Sequence, residues 1–224
     1  MHVIVTSMID DPFDPPGNER VGGGHVFLFD LGRYLIRRGF QVTYIIRKNS
    51  QKKKSLEKLG EKCSIIRLEV GPLKEMKPDE VSKLINPLKK EFINAIEELR
   101  DRPNALHSIY WISGIVALDF TNVNKIKHVH SVLSLGRLKV KEEKKLSKID
   151  KLRDESEIKI FNDVDGLILV CPNELQALRK LYPEVINNNC HIIPYGIDET
   201  LFFPRPESTN HYVRRTTGRF KQRS

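Results

Sequence analysis

Cysteine is scarce in this chain, and its spacing pairs with nothing. Cys63, Cys171 and Cys190 are scattered over 224 residues with no C-x-x-C, which excludes zinc-ligand spacing and a disulfide framework. Reduced thiols, no metal site and no cofactor are expected. Long apolar runs are also missing, since nothing approaches the ~18 consecutive apolar residues of a membrane-spanning helix. The N-terminus, Met-His-Val-Ile-Val-Thr, has neither a basic n-region nor an apolar h-region. That argues against secretion and for a cytoplasmic protein. There is no internal repeat, zinc finger, RRM signature or stacked aromatic series, so a nucleic-acid reading of the basic residues lacks its second leg.

What is present suits a globular chain with a heavily charged surface, at 39% hydrophobic and 30% charged residues with a formal charge of +9. That charge is uneven: Arg205 to Ser224 holds six basic residues against Glu207 alone, and Arg47–Lys54 and Arg137–Lys151 are further basic clusters. Such clusters are either solvated surface or contacts for an anionic partner. No specific nucleic acid and at most peripheral membrane contact are expected.

Taken in order, the chain alternates. Strands are expected at Val3–Thr6, Val42–Ile46, Cys63–Leu68, Ala105–Ile109, Lys127–His130, Leu167–Val170 and His191–Ile193, where β-branched and apolar residues concentrate. Helices are expected from Gly24 to Gly39, over a basic Lys52–Leu59, over Pro78–Arg100, over Ile112–Phe120, over Ile158–Val164 and from Pro172 to Tyr182. Pro87 should kink or interrupt the long one, because proline removes an internal donor. Ile9–Arg20, with Pro12, Pro15, Pro16 and Gly17, is a loop. Strands alternating with helices predict an α/β fold, a single doubly wound Rossmann-like domain with a parallel sheet of about seven strands. Its ligands belong at the C-terminal strand edges. The domain is expected over residues 1–204, with 205–224 a basic tail or linker.

Gly22-Gly23-Gly24-His25 lies between the first strand and first helix. Consecutive glycines there allow positive φ and close backbone approach. A helix N-terminus presents unpaired N–H groups to an anion. The pattern is neither G-x-G-x-x-G nor a Walker loop. It reads as a phosphate-touching loop or as a flexible turn.

The strand-edge residues carry a resemblance. Gly22 to Val26 with Leu31, Leu35, Arg38-Gly39 and Val42 resembles the start of family-four retaining glycosyltransferases. His107-Ser108-Ile109-Tyr110-Trp111-Ile112-Ser113-Gly114 is similar to that family's His-Ser-His-Tyr-Trp-Leu-Ser-Gly segment. Ser131 to Lys139 is similar to its Thr-x-His-x-Leu-Gly-x-x-Lys segment. Arg153 with Glu155, then Pro194-Tyr195-Gly196-Ile197-Asp198 and Phe203-Pro204, follow in family order. The nearest branch is the sucrose-phosphate-synthase-like one.

The resemblance implies the N-terminal, acceptor-side domain of a two-domain B-type transferase. Such an enzyme moves a sugar, without metal, from a nucleoside diphosphate sugar to a hydroxyl acceptor. Gly22, Gly23, Gly24 and His25 would approach the donor phosphates. His107, Ser108, Tyr110, Trp111 and Leu133 would line the acceptor cleft, Arg137 and Lys139 would supply positive charge, and Arg153, Glu155, Gly196 and Asp198 complete the family motif. Two family histidines are replaced by Ile109 and Leu133, whose side chains exchange no proton. With those losses and no second glycine-rich strand-loop, no intact catalytic group is expected, and the chain is expected to be inactive alone. Two readings follow: an enzyme half completed in trans by a separately encoded C-terminal half, or a non-catalytic truncated or binding module.

Overall fold

The computed structural model describes residues 1–14, 22–140, 146–197 and 203. The compact body is Met1–Pro194; Tyr195–Ser224 form a second unit, of which only Tyr195, Gly196, Ile197 and Phe203 are described. Asp198 and the basic tail therefore lie outside the described residues.

The body is built on one eight-stranded sheet. Its strands are β1 (His2–Ser7), β2 (Gln41–Arg47), β3 (Leu56–Gly60), β4 (Cys63–Leu68), β5 (Ala105–Ile109), β6 (Lys127–Ser131), β7 (Gly166–Leu169) and β8 (Cys190–Ile192), in the order β3-β4-β2-β1-β5-β6-β7-β8. All neighbours are parallel except β3 and β4. The order reverses between β1 and β5, the position at which a doubly wound sheet opens a crevice. Segment 52–59, expected as a helix, is instead the approach to β3 and most of that edge strand. Its register slips between Lys58 and Gly60. Exposed lysines and a register irregularity are common on sheet edges, where they discourage pairing with another chain.

The helices are α1 (Gly23–Arg37), α2 (Pro78–Val81), α3 (Ile85–Glu97), α4 (Trp111–Asn124), α5 (Gly136–Lys139), α6 (Lys148–Asp163) and α7 (Pro172–Leu181). The expected break near Pro87 is found just before it. A 3-10 turn at Ser82–Leu84 separates α2 from α3, and Pro87 falls in the first turn of α3, where its missing N–H costs nothing.

Strand alternation sends successive side chains to opposite faces. Ile4 and Leu106 join the core built with α3, α4, α6 and α7, while Val3, Val5 and Ile109 join a second cluster under α1. Contact between α1 and β2 is close at Gly32. A Cβ there would stand 1.7 Å from the Tyr44 hydroxyl, which donates to the Leu28 carbonyl at 3.0 Å. Among the described residues no helix is long and apolar enough to cross a membrane.

Candidate functional site

Three polar clusters lie along the strands or past their C-terminal ends. The first lies at the start of α1. None of Gly22, Gly23 and Gly24 takes a positive φ; among the described glycines only Gly39 and Gly71 do. Their use is closeness instead. A Cβ on Gly24 would stand 2.6 Å from Asp10 Oδ2, whereas Gly22 and Gly23 face open space. Asp10 lies 3.2 Å from His25 Nδ1, and Asp14 lies 3.9 Å from His25 Nε2. Burial raises the Asp10 pKa, opposed by His25 and reinforced by Glu75 and Asp14. Beneath it, Asp11 accepts from Arg67 and Lys53, both at 2.8 Å. Asn49 bridges Asp14 and Glu75 at 2.9 and 2.8 Å. The turn expected to meet a phosphate thus already holds a carboxylate.

The second cluster is sealed. Ser108 is fully buried, and its hydroxyl bonds His128 Nε2 at 2.7 Å and His130 Nδ1 at 2.8 Å. Thr121 Oγ1 closes the row on His128 Nδ1 at 3.0 Å. Desolvation holds His128 near pKa 3 and His130 well below the ordinary value. This corrects the placement of Ser108 at the cleft: its side chain points to α4. His107 points to the other face. There it bonds Ser131 Oγ at 2.8 Å, meets Phe27 of α1 edge-on, and is held by desolvation at a pKa of about 4. Half-buried Leu133 packs on the same α1-side cluster, with a strained φ of 56°.

The third cluster is open. A cavity of about 610 Å³ is walled by Tyr110, Trp111, Arg137, Lys139 and Arg153, with apolar Leu146 and Ile149. Tyr110, between β5 and α4, holds φ 68° and ψ 149°, a conformation that costs a non-glycine residue ~1–3 kcal/mol and often marks a functional position. Its N–H donates to Ser131 O at 3.1 Å. The Arg153 guanidinium lies 5.2 Å over the Tyr110 ring and reaches its hydroxyl at 3.5 Å. The two pocket arginines differ. Arg137 is saturated: Asp154 accepts from Nε at 2.6 Å and Nη2 at 3.0 Å, Glu184 from Nη1 at 3.0 Å and Nη2 at 3.1 Å, and the Leu181 carbonyl also accepts from Nη1. Those acidic partners, Asp154 first, hold its pKa above the ordinary value. Its charge is matched, contrary to the expectation that it would supply positive charge. Lys139 is exposed on the rim.

The structure pairs Arg153 with Glu157, at 2.7 Å one turn along α6, and leaves Glu155 exposed. Glu157, Tyr182 and Asp154 were missed by sequence reasoning. The R-x-x-x-E spacing at 153–157 was the available signal, since i and i+4 share a helix face. The expected site residues therefore divide. Tyr110, Trp111, Arg137, Lys139 and Arg153 meet at the cavity, His107 and Leu133 lie toward α1, and Ser108 belongs to the core. Gly196 sits in the second unit. Among the described residues no group of His, Cys, Asp and Glu could hold a metal.

The family model of Glycosyltransferase Family 4 matches residues 21–201. The D-inositol 3-phosphate glycosyltransferase of Paenarthrobacter aurescens is 24% identical over 88% of this chain and 49% of its own length. The mannosylfructose-phosphate synthase of Agrobacterium fabrum is 24% identical over 91% of this chain and 47% of its own. Among solved structures, sucrose-phosphate synthase from Thermosynechococcus elongatus superposes with a TM-score of 0.81 at 23% identity, over 95% of this chain and 52% of that one. The chain spans about half the length of the curated relatives it matches.

Proposed function

The chain belongs to glycosyltransferase family 4, and from that premise we propose that it is the acceptor-side half of a sugar transferase whose acceptor is a phosphorylated sugar or polyol. The donor is a nucleoside diphosphate sugar, bound by a second half supplied either by further polypeptide or in trans. The observation that carries the acceptor class is the cavity just past the ends of β5 and β6. It offers a guanidinium at Arg153, an ammonium on the rim at Lys139, and the hydroxyl and ring of Tyr110. A guanidinium fork matches phosphate geometry, and aromatic walls suit a sugar or polyol body. The relatives' names agree, since each of the three carries a phosphate on the molecule named.

Calorimetric titration of the 224-residue chain tests the acceptor class. myo-Inositol 1-phosphate and glucose 6-phosphate should bind at least ten times more tightly than myo-inositol and glucose. Arg153→Ala should abolish that difference and Arg137→Lys should leave it within threefold. Equal affinity for phosphorylated and unphosphorylated forms would overturn the acceptor class. Sugar transfer is expected only when a donor-side half is added, so turnover by the chain alone would overturn the division of labour.

A further inference from the structure

Glu157 is 1% exposed, yet it carries no function in the reading above. Its carboxylate is filled from three directions. Oε1 accepts from Arg153 Nε at 2.7 Å and from the Gly136 N–H at 3.2 Å; Oε2 accepts from the same N–H at 2.9 Å and from the Tyr182 hydroxyl. Burying a carboxylate is expensive unless donors surround it. Here the donors come from α6, from the start of α5 and from the residue after α7. The space is tight as well: a Cβ on Gly136 would stand 2.8 Å from both Arg153 Nε and Glu157 Oε2.

The consequence falls on Arg153. Glu157 takes Nε, while the Ser134 carbonyl and hydroxyl take Nη2 at 2.9 and 3.1 Å. Among the described residues, that leaves Nη1 with only the long 3.5 Å contact to Tyr110, on the cavity wall. A guanidinium is a rigid fork, so fixing two of its nitrogens fixes the direction of the third.

We propose that Glu157 is a positioning residue, which ties Arg153 to the Gly136 turn, aims Arg153 Nη1 into the cavity, and thereby sets affinity for a phosphorylated acceptor that it never touches. The proposal rests on the acceptor reading above. Glu157→Gln keeps the shape but removes the charge and places an N–H among converging donors. Tyr182→Phe removes one donor and leaves the Arg153 contact intact.

The test follows the Arg153 Nε–H signal in a nitrogen-labelled 224-residue chain, assigned by its loss in Arg153→Lys, alongside titration with myo-inositol 1-phosphate. In the unmodified protein the signal should exchange slowly with water. In Glu157→Gln it should exchange at least tenfold faster, the Kd for myo-inositol 1-phosphate should rise at least tenfold, and the affinity for myo-inositol should stay within twofold. Tyr182→Phe should change both by less than threefold. Fast exchange in the unmodified protein, or a Glu157→Gln variant with unmodified exchange and affinity, overturns the proposal. If Glu157→Gln does not fold, Glu157→Asp, which withdraws the carboxylate from Arg153, takes its place with the same expected and overturning results. If the unmodified chain binds neither phosphorylated probe, the acceptor reading fails, while the exchange rates still decide whether Glu157 aims Arg153.

Discussion

The row Ser108–His128–His130–Thr121 and the wall Tyr110–Arg153–Glu157–Ser134 are both polar, both beside β5 and β6, and chemically opposite. In the row the titratable groups are neutral imidazoles, because burial makes their charged forms expensive. Among the described residues His130 even keeps a buried Nε2 without a partner. On the wall Arg153 and Glu157 are paired at 2.7 Å, and one edge of the assembly opens into a cavity. The difference separates polar residues that complete a core from polar residues that present a charge. Histidine, the residue type most often read as catalytic, belongs here mainly to the first kind.

The largest expected effect is on the sealed row together with His107 on the opposite face, and pH produces it. Histidines in the unfolded chain titrate near 6.5, whereas His107 is held at about 4 and His128 at about 3, with His130 also depressed. Below pH 6.5 the unfolded chain binds protons that the folded chain refuses. Stability is therefore full above pH 6.5 and falls toward pH 4, by about 1.4 kcal/mol per pH unit for each such histidine. Against a typical total of ~5–15 kcal/mol, acid unfolding should set in near pH 5. Arginines do not titrate in this range, so Arg153 adds nothing to the slope. Urea unfolding between pH 7.5 and pH 5 measures it, and His130→Leu should remove about one histidine's share. Equal stability at both ends would break the contrast.

A pair of glycine substitutions sharpens it at intermediate size. In Gly114→Ala the new Cβ would stand 2.8 Å from Ile160 Cδ1 and 2.9 Å from the His130 ring. Overpacking of this kind costs ~1–3 kcal/mol, offset in part by about 1 kcal/mol of helix propensity. The expected outcome is a Tm lower by a few degrees with myo-inositol 1-phosphate binding unchanged. Gly136→Ala presses instead on the ends of Arg153 and Glu157, of which Arg153 borders the cavity. It should leave stability within about 1 kcal/mol and weaken the probe severalfold. If the two variants behave alike, the row and the wall are one packed unit and the distinction fails.

Much of this was legible in the sequence. Seven strands were found within two residues, because β-branched runs end in turns at regular spacing. β3 was misread, since Leu56–Gly60 carries lysine and glutamate and gains its strand from pairing with β4 rather than from propensity. Only the second half of α6 was recognised. Its buried residues include Arg153, Ser156 and Glu157, so the face it hides is partly polar and shows little apolar period. The same property hid Glu157 and Tyr182 from the site. Their bonds to Gly136 and Arg137 join positions 21 and 45 residues apart, which no local pattern records. Tyr110, Trp111 and Arg153 stood out because their motifs keep family order, and the structure brings them to one cavity.

The smallest expected effect decides where the cluster under α1 belongs. Asp10 is half-buried and its pKa is moved by desolvation, as in the row, yet it faces His25 as a counter-ion, as on the wall. Its pKa is raised, first by desolvation and then by Glu75 and Asp14, with His25 only partly compensating. A carboxyl whose folded pKa is raised binds its proton more tightly in the folded chain. Stability is then greatest below the unfolded value near 3.8 and declines as pH rises through the folded value. At pH 7 the ionised group costs stability. Asp10→Asn keeps the size that fits against Gly24 and removes the charge, so it should stabilise the chain by up to about 1 kcal/mol at pH 7 and by nothing near pH 4. Urea unfolding at the two pH values measures this. A gain confined to neutral pH would mean that the glycine turn holds an under-compensated carboxylate, one that an incoming anion must displace or meet protonated. A loss at neutral pH would mean that His25 fully answers Asp10, and that this cluster is matched in the manner of the open wall.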